Sequence, residues 1–182
     1  MASIKSVGVF CAASDSIDEA FVEQARLVGS LIGNKGLTLV YGGAAAGLME
    51  ATAAAAKECG AHIVGVFPQV LIERNRVSTL LDERVVTQSL SDRKDNILLR
   101  SDLLVALPGG VGTIDEIFHV AAAATIGYHC KRVIFYNVNG FWDKMLEFLR
   151  GLQQQGFIRA DFDALFGVAN NIQQLEALLT LD

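Results

Sequence analysis

The chain has 182 residues, 52% of them hydrophobic and 19% charged, with 15 basic against 20 acidic side chains. That length fits one domain burying roughly 70% of its extended-chain surface, and the composition excludes disorder, collagen and a highly charged coiled coil. A net charge of -5 with no basic cluster excludes a broad nucleic-acid surface, but not a small anion held by backbone donors.

Mean hydropathy is +0.38, yet no run reaches the ~18–20 apolar residues of a membrane-spanning helix. Residues 1–7 lack the apolar stretch and small-residue cleavage site of a secretion signal. A cytoplasmic chain without a membrane segment is expected. Cys11, Cys59 and Cys130 are odd in number and far apart, which fits buried reduced thiols better than disulfides or a zinc cluster.

Short apolar strands alternate with helical periods from end to end. Residues 7–12 read as a strand. Residues 18–34 then put Phe21, Ala25, Val28 and Ile32 on one helical face, with Gly33 and Gly36 at its end. A strand at 37–41, a Gly/Ala turn and an Ala-rich helix at 47–59 follow, and a strand at 62–67 stops at Pro68. Residues 68–84 are irregular and charged, as in a loop over a site. Next come a strand at 85–87, a helix at 90–100, a strand at 103–107, a helix at 112–126, a strand at 132–136 and a helix at 141–155. A strand at 165–168 and a helix from Ile172 close the chain. This alternation implies right-handed βαβ units in a single-domain α/β fold, a Rossmann-like doubly wound parallel sheet flanked by helices. The Ala runs at 53–56 and 121–124 read as tightly packed helix faces.

In such a sheet, ligands bind beyond the carboxyl ends of the strands. Three segments there carry unusual chemistry. Tyr41-Gly42-Gly43-Ala44-Ala45-Ala46-Gly47-Leu48-Met49 puts glycines directly after a strand and before a helix, where backbone can approach a ligand closely. A tight packing turn would need the same glycines. Pro108-Gly109-Gly110-Val111-Gly112-Thr113-Ile114-Asp115-Glu116 joins a strand to a helix through three glycines and a hydroxyl. Backbone donors and the helix dipole there make a phosphate cradle. The segment is neither a Gly-Lys-Ser/Thr loop nor a G-x-G-x-x-G fingerprint. Asp115 and Glu116 either complement the helix dipole or bind sugar hydroxyls. In Ser91-Asp92-Arg93-Lys94-Asp95, two cations occupy a helix start. The dipole disfavours them there, which hints at function over a merely solvated face.

Together these segments resemble the LOG family, the cytokinin riboside 5′-monophosphate phosphoribohydrolases, often labelled lysine decarboxylases. The family's P-G-G-x-G-T-x-x-E motif is intact from Pro108 to Glu116, and its R-K pair matches Arg93-Lys94. Phe10-Cys11-Ala12-Ala13-Ser14, Val40-Tyr41-Gly42-Gly43 and Gly47-Leu48-Met49 also match, as do later segments, so the resemblance spans roughly residues 6–160. It implies hydrolysis of the N-glycosidic bond of a purine riboside 5′-monophosphate, giving free base and ribose 5-phosphate, with no metal or other cofactor. It implies that Glu116 contacts the ribose and supports its developing positive charge, with Arg93 as the second catalytic residue. Substrate contacts then fall to Ser14, Gly43, Met49, Lys94, Gly110, Val111, Gly112 and Thr113. An oxocarbenium-like transition state favours a nearby carboxylate, and a departing base favours charge stabilisation. A homodimer is implied too, with the helices at 90–100 and 112–126 as the packing faces.

The sequence departs from the family at Ala44, where a third glycine is usual, at Glu50, where a glycine follows Leu-Met, and at Asn75, near the family's base-side acid. These changes bear on base preference and keep a second reading open, a non-catalytic nucleotide or cofactor carrier on the same fold. Decarboxylation has little support, because no lysine sits in a recognisable pyridoxal pocket. His62 reads as a core or edge residue and His129 as a loop residue. His119, one turn beyond Glu116, faces either the site or a subunit interface. Phe135, Tyr136, Phe141, Trp142 and Phe148 read as core.

Overall fold

The computed structural model describes residues 4–180. Its elements, in chain order, are β1 (Ser6–Phe10), α1 (Glu19–Asn34), β2 (Thr38–Tyr41), α2 (Gly47–Glu58), β3 (Ile63–Pro68), α3 (Gln69–Glu73), β4 (Glu83–Thr87), α4 (Leu90–Arg100), β5 (Leu103–Ala106) and α5 (Val111–Thr125). Then come β6 (Val133–Tyr136), a 3-10 turn (Val138–Gly140), α6 (Asp143–Gln154), α7 (Phe162–Leu165), β7 (Phe166–Ala169) and α8 (Ile172–Thr180). The strands form one sheet in the order β4-β3-β2-β1-β5-β6-β7. Every neighbouring pair is parallel.

The strands read as continuous apolar runs because both sheet faces are covered. Val7, Val9, Leu39, Tyr41, Val105 and Ile134 point to one face. Phe10, Val40, Val66, Leu104, Ala106 and Phe135 point to the other. On the first face α1 lies very close to α2. A Cβ on Gly29 would strike the Thr52 carbonyl oxygen, and one on Gly33 would strike Cys59 and the Ala56 carbonyl. Gly33 thus serves helix packing inside α1 and does not end it.

Several expectations are corrected. The Ala run at 53–56 is packed as expected, but in the 121–124 run only Ala121 is buried. Ala122 is exposed, whereas Ala123 and Ala124 are half-buried, Ala124 against the core. Phe135, Tyr136 and Trp142 are core, whereas Phe141 and Phe148 are exposed. Only Cys11 is a buried thiol, and Cys130 is exposed. His62 precedes β3 and faces solvent beside Asp82. Residues 68–84 contain α3, and Val77 bridges antiparallel to Ala44. With Ala45 N–H donating to the Arg76 carbonyl and Ser78 N–H to the Gly43 carbonyl, this segment covers the end of β2.

Candidate active site

The chain winds outward from β1 to β4, then returns to place β5 on the other side of β1. The loops after β1 and β5 therefore diverge at a switch point, where an open α/β sheet leaves a crevice. Ala12 N–H donates to the Pro108 carbonyl at 3.2 Å and Met49 N–H to the Ala12 carbonyl at 3.3 Å, tying three loops together. Between them lies a cleft of about 320 Å³ lined by Cys11, Ala12, Ala13, Ser14, Met49, Arg93, Gly110, Gly112, Thr113 and Glu116.

The expected phosphate cradle falls at the start of α5. Gly110 precedes its first turn, and no side chain caps it. The first amides of a helix lack intrahelical acceptors and carry the positive end of its dipole. Gly110 and Gly112 have open space where a Cβ would stand, whereas a Cβ on Gly109 would collide with the Thr113 hydroxyl. Thr113 is buried in the cleft wall. Val111 stands outside the lining, its side chain exposed.

One turn further along α5, Glu116 is 3% exposed. Its Oε1 accepts a hydrogen bond from Arg93 Nη1 at 2.7 Å. Burial pushes the Glu116 carboxyl above its ordinary range, and the Arg93 charge opposes that shift. Arg93 is the fourth residue of α4, whose start is capped by Ser89 accepting from Asp92 N–H at 3.1 Å. Its Nε donates to the Val66 carbonyl at 3.1 Å, fastening the guanidinium to β3. Gly42 makes room for it, since a Cβ there would overlap Arg93 Nη2 and Met49. A buried ion pair costs desolvation and seldom serves stability alone. In a cleft, it marks a functional candidate.

The remaining expected site residues divide. Ser14 and Met49 line the cleft. Gly47 has a φ of +55° and packs on the Ser14 backbone, where any side chain would collide. Gly43, with a φ of +69°, lies behind the lining, packed against Phe67. Lys94 also stands outside the lining, its Nζ donating to both oxygens of Asp115 at 2.8 and 2.9 Å. Ala44, Glu50 and Asn75 do not border the cleft either. Asn75 has a φ of +52° in the turn that ends α3, where its N–H donates to the Ile72 carbonyl, a conformation asparagine tolerates.

Cys11, Ala12 and Ala13 in the lining, and Gly42 behind it, are not among the site residues expected from the sequence. Cys11 forms the floor, and burial with the nearby Glu116 charge holds its thiol well above the usual range. Gly42 was visible only as one glycine of a turn. Among the described residues, no group of three His, Cys, Asp or Glu side chains is placed to hold a metal ion. Nor is any helix there long and apolar enough to cross a membrane.

This is an α/β protein whose cleft, at the switch point of a parallel sheet, joins a helix N-terminus to a buried Arg–Glu pair. The family model described as "Possible lysine decarboxylase" matches residues 49–179. A cytokinin riboside 5′-monophosphate phosphoribohydrolase of Mycobacterium tuberculosis is 36% identical over 168 residues, covering 92% of this chain and 89% of that protein. The Arabidopsis thaliana enzyme LOG5, of the same name, is 33% identical, covering 95% and 78%. A molybdenum cofactor carrier protein of Chlamydomonas reinhardtii shares the fold with a TM-score of 0.76 and 25% identity, covering 96% and 95%. The chain belongs to the LOG family.

Proposed function

We propose that this protein hydrolyses the N-glycosidic bond of a purine riboside 5′-monophosphate, of adenosine or cytokinin type, to free base and ribose 5-phosphate. The observation that carries the reading is the buried Arg93–Glu116 pair, one turn beyond the uncapped start of α5. The 5′-phosphate sits on the amides of Gly110, Val111, Gly112 and Thr113, with Ser14 and Met49 across the cleft. Gly43 shapes the turn behind them. This brings C1′ toward Glu116. As the C1′–N bond breaks, its electron pair leaves with the base, which takes up a proton. Water adds to C1′ and releases a proton. The Glu116 carboxylate supports the positive charge on the sugar, and Arg93 holds that carboxylate in place. The names of the M. tuberculosis and A. thaliana relatives support this reading.

The test is incubation with AMP and with isopentenyladenosine monophosphate, measuring ribose 5-phosphate. Turnover is expected for the wild type and loss by a factor of ~10²–10⁴ for Glu116→Gln. Saturable nucleotide binding with no product would favour a carrier, the kind of protein named in the Chlamydomonas structure.

We further infer a cytoplasmic homodimer formed through α4 and α5. Leu99, Phe118, Ile126 and Tyr128 are exposed in this region, together with Ala122. A contiguous apolar surface of this kind commonly marks an interface. Light scattering is expected to give twice the 19.5 kDa chain mass and, for Phe118→Asp, the mass of one chain. A monomeric wild type refutes this.

A further inference from the structure

Helices α4 and α5 are joined by three side-chain pairs in succession, two of them ion pairs and the third a histidine–carboxylate hydrogen bond. Arg93 meets Glu116 at 2.7 Å, Lys94 meets Asp115 at 2.8 Å, and Asp95 Oδ1 lies 2.8 Å from His119 Nε2. Three consecutive residues of one helix thus meet three residues within about one turn of the other. Only the first pair borders the cleft. Lys94 and His119 are largely buried, at 13% and 23% side-chain exposure, while Asp115 and Asp95 are more than half exposed.

Nothing at the α4 start rewards a second cation for its own sake, because the helix dipole disfavours it. Lys94 does not line the cleft, and both oxygens of Asp115 hold its ammonium. Its reach ends on α5. One exposed ion pair contributes little. A second ion pair and a hydrogen bond beside it, on the same two helices, fix the offset between them. A misplacement of about 1 Å at a reacting group costs up to ~10²-fold in rate.

We propose that Lys94–Asp115 and Asp95–His119 form a clamp that sets the offset of α4 on α5 and so holds Arg93 on Glu116. Lys94, Asp95, Asp115 and His119 are then positioning residues, and Lys94 acts through Asp115, not on the substrate. The proposal rests on the reading of Arg93 and Glu116 as catalytic.

Steady-state kinetics with AMP test it on Lys94→Met, Asp115→Asn, the double variant and Lys94→Arg. Lys94→Met and Asp115→Asn are each expected to lower kcat about tenfold with KM within about twofold of wild type. The double variant falls no further than either single, as coupled partners do, and Lys94→Arg recovers most of the loss. His119→Leu lowers kcat in the same sense, while His119→Gln, which still donates to Asp95, does so less. A Lys94→Met variant that raises KM while Asp115→Asn lowers it would place the ammonium on the phosphate and overturn the clamp. Unchanged kcat in both singles, or additive losses, also overturns it.

Glu116→Gln runs alongside. A fully active Glu116→Gln defeats the catalytic reading, whereas an inactive one beside wild-type kcat in the clamp variants defeats only the clamp. A second readout needs no turnover. The Arg93 Nε–H resonance, donated to Val66, is expected in wild type and Lys94→Arg, and broadened or shifted in Lys94→Met and Asp115→Asn. An unmoved resonance in folded variants refutes the proposal.

Discussion

Gly42→Ala isolates the contact that places the Arg93 guanidinium on Glu116. The φ of Gly42 is outside the left-handed region, so alanine meets no backbone penalty and the substitution adds one methyl group. That methyl would stand 2.1 Å from Arg93 Nη2 and 2.9 Å from Met49 Cε. Met49 can turn aside. Arg93 is held at both ends, at Val66 and at Glu116. To reach an ordinary contact of about 3.4 Å it must withdraw by about 1.3 Å. That breaks the 2.7 Å bond to Glu116, because hydrogen bonds fail beyond about 3.5 Å. The overpacking costs ~1–3 kcal/mol of stability, and the displaced guanidinium lowers kcat by ~10²-fold. Denaturant melts and ribose 5-phosphate release measure the two separately. A variant with kcat within about threefold of wild type would refute the assignment of Arg93.

Two further outcomes follow from the same cleft. A Cβ at Gly112 meets no protein atom within 4 Å, so Gly112→Ala is expected to leave stability unchanged or raise it by ~0.5–1 kcal/mol. It should raise KM for the nucleotide, because the methyl enters the phosphate's place, and an unchanged KM moves the phosphate elsewhere. For Glu116, burial holds the folded carboxyl above its ordinary 4.5, so over that window the folded state keeps a proton that the unfolded chain releases. The stability tied to this group is therefore full below 4.5 and declines as pH rises through the folded value. Denaturant melts across that range should show the decline in wild type and not in Glu116→Gln, and parallel curves would refute it.

Apolar strands buried on both faces made the sheet readable from the sequence, as did the alternation of strand and helix. Strands and long helices fell within a few residues of their expected bounds. Helix α3 was missed because five residues, Gln69–Glu73, are too few to display a helical period. The glycine turn at the start of α5 is readable too, since Gly110, Gly112 and Thr113 lie together in the sequence. What could not be read were pairings across distance. Lys94 seemed free for a substrate until the fold brought Asp115 to it, 21 positions away. Gly33 reads as a helix stop in the sequence, which does not display the helix that lies against it. The exposed Ala122 failed the packing expectation for a related reason, as small residues suit a subunit contact as well as a core.

All the groups lining the cleft come from residues 11–116. The last third of the chain supplies two strands and the helices that cover them; β6 pairs with β5, and Trp142 Nε1 also donates to the Ala106 carbonyl at 3.3 Å. Labour is thus divided by position along the chain. Most substitutions after residue 130 are expected to show in melting temperature and those in the loops after β1 and β5 in turnover; Phe141, which lines a hollow with Ser14 and Gly110, is the exception. Tags, fusions and sequence drift therefore belong at the far edge of the sheet, where the scaffold can absorb change without retuning the chemistry.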